Sequence, residues 1–306
     1  MQRRFFDYIV ISLKGIAMGA ADAVPGVSGG TIAFISGIYE ELITSISNVN
    51  PSLFKTLIKK GFVPFWKMLN GNFLVALLLG IVVSFVSFMR LAKYLLENHP
   101  ILIWSFFFGL IVASIYFVGK QIQKWNFPIL VALIIGIVIA FYVSQLSSLT
   151  TNEHSWFLFL AGAIAICAMI LPGISGSFIL IILGAYKTLS DALHDFDIKK
   201  ILVFAAGAVI GLLSFSHVLK WLFKHYHNIT LALLTGFIFG SLNKVWPWKE
   251  TLTWYTNSKG IKTPLLQKSI SPFFFNGDNQ ILFALLLMII GFLTIFILER
   301  LGSKKV

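Results

Sequence analysis

Charge is what this sequence has least of. Only 12% of its 306 residues are Asp, Glu, Lys or Arg, against about 25% in an ordinary soluble domain. Acidic residues are scarcer still, since 12 Asp and Glu face 24 Lys and Arg for a formal net charge of +12. So few charges cannot dress a chain of this size for water, which excludes a soluble globular enzyme or binding module. Cys167 is the sole cysteine, so no disulfide forms within the chain, and a lone thiol among Ala and Ile reads as a small packing residue. No nucleophile elbow, P-loop or dinucleotide fingerprint occurs. His99, His154, His194, His225 and His227 fall in expected loops or span ends without the spacing of metal ligands. These absences argue against a catalytic role, a cofactor and a resident metal.

What the chain has in excess is apolar sequence: 58% hydrophobic residues, 30 of them Phe. A helix needs roughly 17 to 25 apolar residues to cross about 30 Å of hydrocarbon. Runs of that length are expected as spans over 73–97, 100–119, 128–146, 201–223, 229–245 and 281–298. Lys and Arg cluster in the short loops and at span ends, which fits a membrane surface better than nucleic acid. Arg3 and Arg4 ahead of an apolar run resemble a signal peptide, but Lys14 interrupts that run and the segment is expected to be retained.

The chain also repeats itself. Pro25-Gly26-Val27-Ser28-Gly29 returns 147 positions later as Pro172-Gly173-Ile174-Ser175-Gly176, and Ile32, Gly37, Tyr39 and Leu42 return at the same offset as Ile179, Gly184, Tyr186 and Leu189. A second block recurs at offset 127, with Gly80, Ser87, Phe88, Lys93, Gly109 and Ser114 matching Gly207, Ser214, Phe215, Lys220, Gly236 and Ser241. Pro and Gly inside an apolar stretch break the helix. Segments 5–48 and 156–193 are therefore each expected as two short helices around a bend, forming a re-entrant hairpin, which membranes tolerate only where protein or a water-filled cavity surrounds the broken backbone.

One hairpin plus three spans makes each repeat, 1–150 and 151–306. An odd number of crossings turns the second copy upside down. The expected fold class is thus an all-α polytopic membrane protein of two inverted repeats. Placing Arg3 and Arg4 in the cytoplasm puts Lys55, Lys59, Lys60, Lys67, Lys120, Lys124, Lys220, Lys224, Arg300, Lys304 and Lys305 there too, while Glu97, Glu153, Asp191, Asp195 and Asp197 fall outside. Lys199, Lys200 and the lysines of 246–280 depart from this pattern. That last loop, with Trp246, Trp248, Trp254 and Tyr255, is expected to lie along the outer interface as an aromatic belt.

Chemistry concentrates at the bends. After each one a half-helix is expected to start, near Thr31 and near Phe178, exposing backbone N–H groups and the positive end of a helix dipole. Such an end suits a phosphate or carboxylate, and glycine lets the anion approach the backbone. The candidate phosphate-binding residues are Pro25, Gly26, Ser28, Gly29, Gly30 and Thr31 in the first repeat, with Pro172, Gly173, Ser175, Gly176 and Ser177 in the second. A competing reading treats the glycines as sites of tight helix packing, and it covers Gly37 and Gly184 well.

Charges inside spans need a partner or a task. Arg90 and Lys93, matched in the repeat by His217 and Lys220, could hold a phosphate or snorkel to the interface. Asp22 and Glu40 are candidate coupling-ion carboxylates, replaced in the second repeat by Met169 and Lys187. For Glu40 and its neighbour Glu41 a solvated helix end is the plainer alternative.

On residues 21–30, Ala-Asp-Ala-Val-Pro-Gly-Val-Ser-Gly-Gly, and 171–177, Leu-Pro-Gly-Ile-Ser-Gly-Ser, the sequence resembles the bacterial polyprenyl-phosphate transporter family over nearly its whole length. The resemblance implies a multi-pass protein of the bacterial cytoplasmic membrane that returns undecaprenyl phosphate from the outer to the inner leaflet. The lipid carrier is thereby recycled for peptidoglycan and other envelope polymers. Asp22 and the Pro, Gly and Ser residues of both bends would then line the headgroup site. Implied partners are a polyprenyl-phosphate lipid and the surrounding membrane lipids, with no nucleic acid; a proton or sodium ion coupled through Asp22 or Glu40, and a homo-oligomer, stay open. An anion or small-solute channel is the alternative from a different class, and an intramembrane lipid phosphatase a further one.

Overall fold

The computed structural model describes residues 3–22, 28–146, 154–256 and 262–303. Pro25 and Gly26 lie outside the described residues, as do the side chains of Arg90 and Lys93. The chain opens with α1 (Phe5–Asp22), α2 (Gly29–Ile35) and α3 (Tyr39–Ser47), then the short α4 (Pro51–Lys60) and α5 (Phe62–Leu69). Three long helices follow: α6 (Gly71–Asn98), α7 (Pro100–Gly119) and α8 (Phe127–Gln145). The second half runs α9 (Ser155–Ile170), α10 (Gly176–Ile182), α11 (Tyr186–His194), α12 (Ile198–Gly240) and, after an antiparallel hairpin of β1 (Lys249–Thr256) and β2 (Lys262–Ser269), α13 (Ile281–Ser303).

Helix starts follow local chemistry. Asn50 Oδ1 accepts from the Ser52 and Leu53 amides ahead of Pro51, and Asn126 Oδ1 accepts from the Ile129 amide ahead of α8. Asp197 caps α12 through the Lys200 amide at 3.2 Å. Three stretches, Pro100–Gly119, Phe127–Gln145 and Ile198–Val245, are long and apolar enough to cross a membrane, and the bent pairs Phe62–Leu69 with Gly71–Ser84 and Gly176–Ile182 with Tyr186–His194 qualify together. The outside of the bundle is itself apolar: Ile134, Val138 and Phe141 of α8 and Leu282, Ile289 and Ile297 of α13 are all at least half exposed or more. A water-soluble protein hides such residues; lipid is the solvent this surface matches.

Where two short helices around one bend were expected, each hairpin segment has three helical pieces and two bends. The second bend is built alike in both halves, at Gly37 (φ +72°) and Gly184 (φ +69°). Gly37 N donates to Phe34 O and Ile38 N to Ala33 O; Gly184 N donates to Ile181 O and Ala185 N to Leu180 O. This paired pattern ends a helix with its glycine in the left-handed region. A Cβ on Gly37 would meet nothing within 4 Å, so the residue is needed for its backbone angle and not for packing, which corrects the packing reading of this glycine. Sequences 201–223 and 229–245 join in one 43-residue helix, α12, broken at Tyr226 (φ −135°, ψ 47°) and followed by a 3-10 turn, Ser241–Val245.

Glycine packing operates along the long helices. A Cβ on Gly15 would lie 2.3 Å from Leu77 O and one on Gly80 2.1 Å from Ser12 O, so α1 and α6 touch backbone to backbone. At the matching positions Gly162 meets Phe204 O and Gly207 meets Phe159 O, where α9 crosses the first arm of α12. The remaining long helices pair across the halves: Gly109 of α7 and Gly291 of α13 press on each other's helix, and Gly136 of α8 does the same with Gly236 on the second arm of α12.

Polar contacts define the two ends. At one, Arg3 reaches Glu41 through two hydrogen bonds of 2.5 and 2.6 Å, Asn70 also donates to Glu41, Lys220 donates to Asn48, and the Gln123 amide donates to Asn228. The opposite end carries the β-hairpin. Trp246 and Trp248, expected on an interfacial belt, are instead packed inward with Ile101 and Ala284; Trp248 is 2% exposed, and each indole N–H donates to a backbone carbonyl, of Ile270 and Asn279, at 2.8 Å. Trp254 remains exposed.

Candidate functional site

The two hairpins meet at their bends. Ser28 caps α2 by accepting from the Gly30 amide, while its hydroxyl lies 3.3 and 3.4 Å from the Met169 and Leu171 carbonyls at the end of α9. Thr31 Oγ1 accepts from the Gly173 amide at 2.9 Å. A Cβ on Gly30 would sit 2.5 Å from Ile170 O, so glycine permits this approach. Ser28 and Thr31 are 2% and 1% exposed, and their oxygens are committed to the seam between the halves. The structure sets Ser28 and Thr31 against the other half, with their polar atoms facing protein and not an open pocket.

The start of α2 already has an anion. Asp22 Oδ1 accepts from the Gly29 amide at 2.7 Å, and a Cβ on Gly29 would fall 2.3 Å from the other carboxylate oxygen. At the far end Lys14 Nζ donates to Ser36 O, the cap carbonyl of α2, at 2.7 Å. Residues of α1 thus match both poles of the α2 dipole. The glycine that was expected to admit a substrate anion admits the chain's own carboxylate.

The second hairpin is built without these charges, because Ala161 and Met169 stand where the first has Lys14 and Asp22. Ser175 Oγ accepts from the Phe178 amide at 3.4 Å and lies 2.8 Å from Ser177 Oγ. Around the start of α10 a small pocket is lined by Gly173, Ser175, Phe178, Ser144 and Lys244, with free volume of about 20 Å³, enough for a water molecule. Lys244 Nζ lies 3.7 Å from the centroid of the Phe178 ring, a cation–π contact. Lys249 props that turn from outside: its ammonium donates to Lys244 O at 2.6 Å and sits 3.7 Å over the Trp104 ring. Burial first, and the Lys244 charge second, push Lys249 down to about 7.

Lys244 is the residue sequence reasoning passed over. Its signal was there, a cation at the end of an apolar span with no acid within five residues on either side. Other candidates are placed elsewhere. His217 is exposed, its Nδ1 2.6 Å from Leu213 O, and Lys220 reaches Asn48 at the opposite end. Glu40, 54% exposed at its side chain, pairs with His227 Nε2 at 3.0 Å beside the α12 break. None of these three lines the pocket. Among the described residues no cluster of His, Cys, Asp or Glu could hold a metal ion.

An apolar exterior, several helices long and apolar enough to cross a membrane and bent helix pairs define a multi-pass α-helical membrane protein. The sequence model of the undecaprenyl phosphate translocase-like family matches residues 18–263, and the chain belongs to that family. It is 46% identical over 308 residues to a polyprenyl-phosphate transporter of Vibrio cholerae serotype O1, covering 99% of this chain and 100% of that protein. It is also 32% identical over 272 residues to a polyprenyl-phosphate transporter of Staphylococcus aureus, covering 82% of this chain and 91% of that one. Both relatives are named as transporters and not as enzymes. No solved structure matches the chain.

Proposed function

We propose that this protein moves a polyprenyl phosphate, in bacteria undecaprenyl phosphate, from the outer to the inner leaflet of the cytoplasmic membrane, returning the carrier for envelope polymer synthesis. The single observation that carries the site assignment is the asymmetry of the hairpins. The first helix start holds Asp22, whereas the second offers Ser175, itself paired with Ser177, and Lys244 around one pocket. A phosphate monoester needs hydrogen-bond donors and a cation, and these residues supply both. The polyprenyl tail stays in lipid, against an apolar exterior that costs it nothing to touch. With water-sized free volume, the pocket must widen to take the headgroup, so binding and movement of the hairpins are one event. The two halves act as inverted repeats rocking about the seam of Ser28, Thr31 and Gly173. Asp22 is the carboxylate assigned to a coupling proton or sodium ion, since Glu40 is exposed and paired with His227.

Purified protein in vesicles loaded with undecaprenyl phosphate, read with a headgroup-binding probe added outside, tests the assignment. Lys244→Gln with Ser175→Ala is expected to slow leaflet exchange about 100-fold or more, as loss of a charged and a neutral hydrogen bond implies. Exchange at the wild-type rate would remove the second hairpin from the headgroup site.

A further inference from the structure

Matching the halves leaves one piece of the first without a counterpart. Between α11 and α12 lie three residues, 195–197, whereas between α3 and α6 lie 48–70, twenty more, and that excess holds α4 and α5. The seams and bends of the second half form without such a pair, so the fold does not require it.

The composition of this piece is distinctive. Lys55, Lys59, Lys60 and Lys67 are all exposed, and no Asp or Glu occurs from 42 through 96. Phe54, Ile58, Phe62 and Val63 are exposed as well, by 54%, 84%, 61% and 64%. On α4 the pair Phe54 and Ile58 forms one ridge at i, i+4 spacing, and Lys55 with Lys59 forms the next, while Leu53 turns inward at 1% exposure. At about 15 and 12 Å long, α4 and α5 are too short to cross a bilayer. Their placement is oblique: α5 meets α6 at 59°. Asn48 Nδ2 donates to Met68 O and Trp66 Nε1 to Asn72 Oδ1, which fix the pair at the end of the bundle that holds Arg3.

We propose that α4 and α5 form an interfacial platform that binds the anionic phospholipid surface of the leaflet at that end, with the apolar ridge between acyl chains and the lysines against headgroup phosphates. Apolar teeth beside a row of cations that pair with no acid among the described residues suit no neutral or aqueous occupant. The lysines recognise negative charge on lipid in bulk, apart from any single substrate molecule in the hairpin pocket. The platform therefore fixes the height and tilt of α6, and through the α1 seam it makes hairpin motion sensitive to leaflet charge.

Full-length protein carrying Cys167→Ala and Ile58→Cys, labelled at position 58, is placed in vesicles of phosphatidylcholine with or without phosphatidylglycerol. Quenching by bromine on the lipid chains reports insertion, and iodide reports water. Insertion is expected to rise with phosphatidylglycerol. Replacing the four lysines with Gln lowers the inserted-to-free ratio about five-fold per lysine, and replacing them with Arg preserves it. A label equally open to iodide in both vesicles, or quenching that ignores phosphatidylglycerol, would overturn the proposal, the former leaving the face to a soluble partner. Retention of insertion by the Gln variant would overturn the role of the lysines.

Discussion

Replacing Thr31 by valine takes one oxygen from the place where the halves touch. The side chain keeps its shape and its 1% exposure, but the Gly173 amide, 2.9 Å from Oγ1, loses its acceptor. A buried N–H left without a partner costs about 1–3 kcal/mol. For a chain of this size each kcal/mol lowers the unfolding midpoint by about 2 °C, so the variant should melt roughly 2–6 °C below wild type. Thr31→Ser gives the control: it retains the oxygen and gives up one methyl, about 0.8 kcal/mol. Stability alone would barely separate the two, and transport does. Gly173 holds φ +86° and lines the pocket, so losing its anchor should slow leaflet exchange in the valine variant while the serine variant exchanges near the wild-type rate. The measurements are thermal unfolding by tryptophan fluorescence in detergent and exchange in vesicles. A valine variant that melts within about 1 °C of wild type, and transports like it, would refute the seam as the support of the pocket.

Asp22 separates its two roles under substitution. Asp22→Asn keeps an acceptor for the Gly29 amide and should cost about 1 kcal/mol while removing gradient dependence, whereas Asp22→Ala loses the charge-assisted bond as well, about 2–3 kcal/mol; an Asn variant still driven by a proton or sodium gradient would free Asp22 of the coupling role. The seams should respond as twins: Gly80→Leu and Gly207→Leu each drive a Cβ to within 2.1 and 2.0 Å of a carbonyl, of Ser12 and Phe159. Each should lower stability by about 1–3 kcal/mol or more in unfolding assays, and a large difference between them would break the equivalence.

Long apolar runs made the spans around α6, α7, α8, α12 and α13 legible, because hydrocarbon thickness leaves a strong mark on composition. The duplicated Pro-Gly-x-Ser-Gly motif falls between helices in both halves, after α1 and after α9, and the structure sets Ser28 and Thr31 against residues 169–173. What sequence could not show was direction. Spacing placed Ser28 and Thr31 at the bends, but only the fold turns their oxygens toward α9 and Gly173. Asp22 was read as an ion site by depth, and the structure adds what spacing could not show, that its carboxylate also caps α2 from seven residues ahead of the amide it binds. Gly37 looked like a packing residue because glycine seams are common in membranes; its φ is a tertiary fact with no signature of its own. Lys244 escaped notice for an opposite reason, since a cation at the end of a span ordinarily snorkels, and the Phe178 ring that holds it comes from another helix.

The crossed pairing of long helices bears on how the chain is made. Gly109 on α7 finds its seat against α13 only once Gly291 exists, 182 residues later. At a synthesis rate of about 5–20 residues per second the ribosome takes roughly 10–35 s to supply it. Through that interval α7 stands in the bilayer with its glycine groove uncovered, while α8 waits only for Gly236 of α12, and whatever shields them until then, lipid or an insertion factor, must yield to the arriving helices. The seat of α7 is accordingly completed only when α13 arrives.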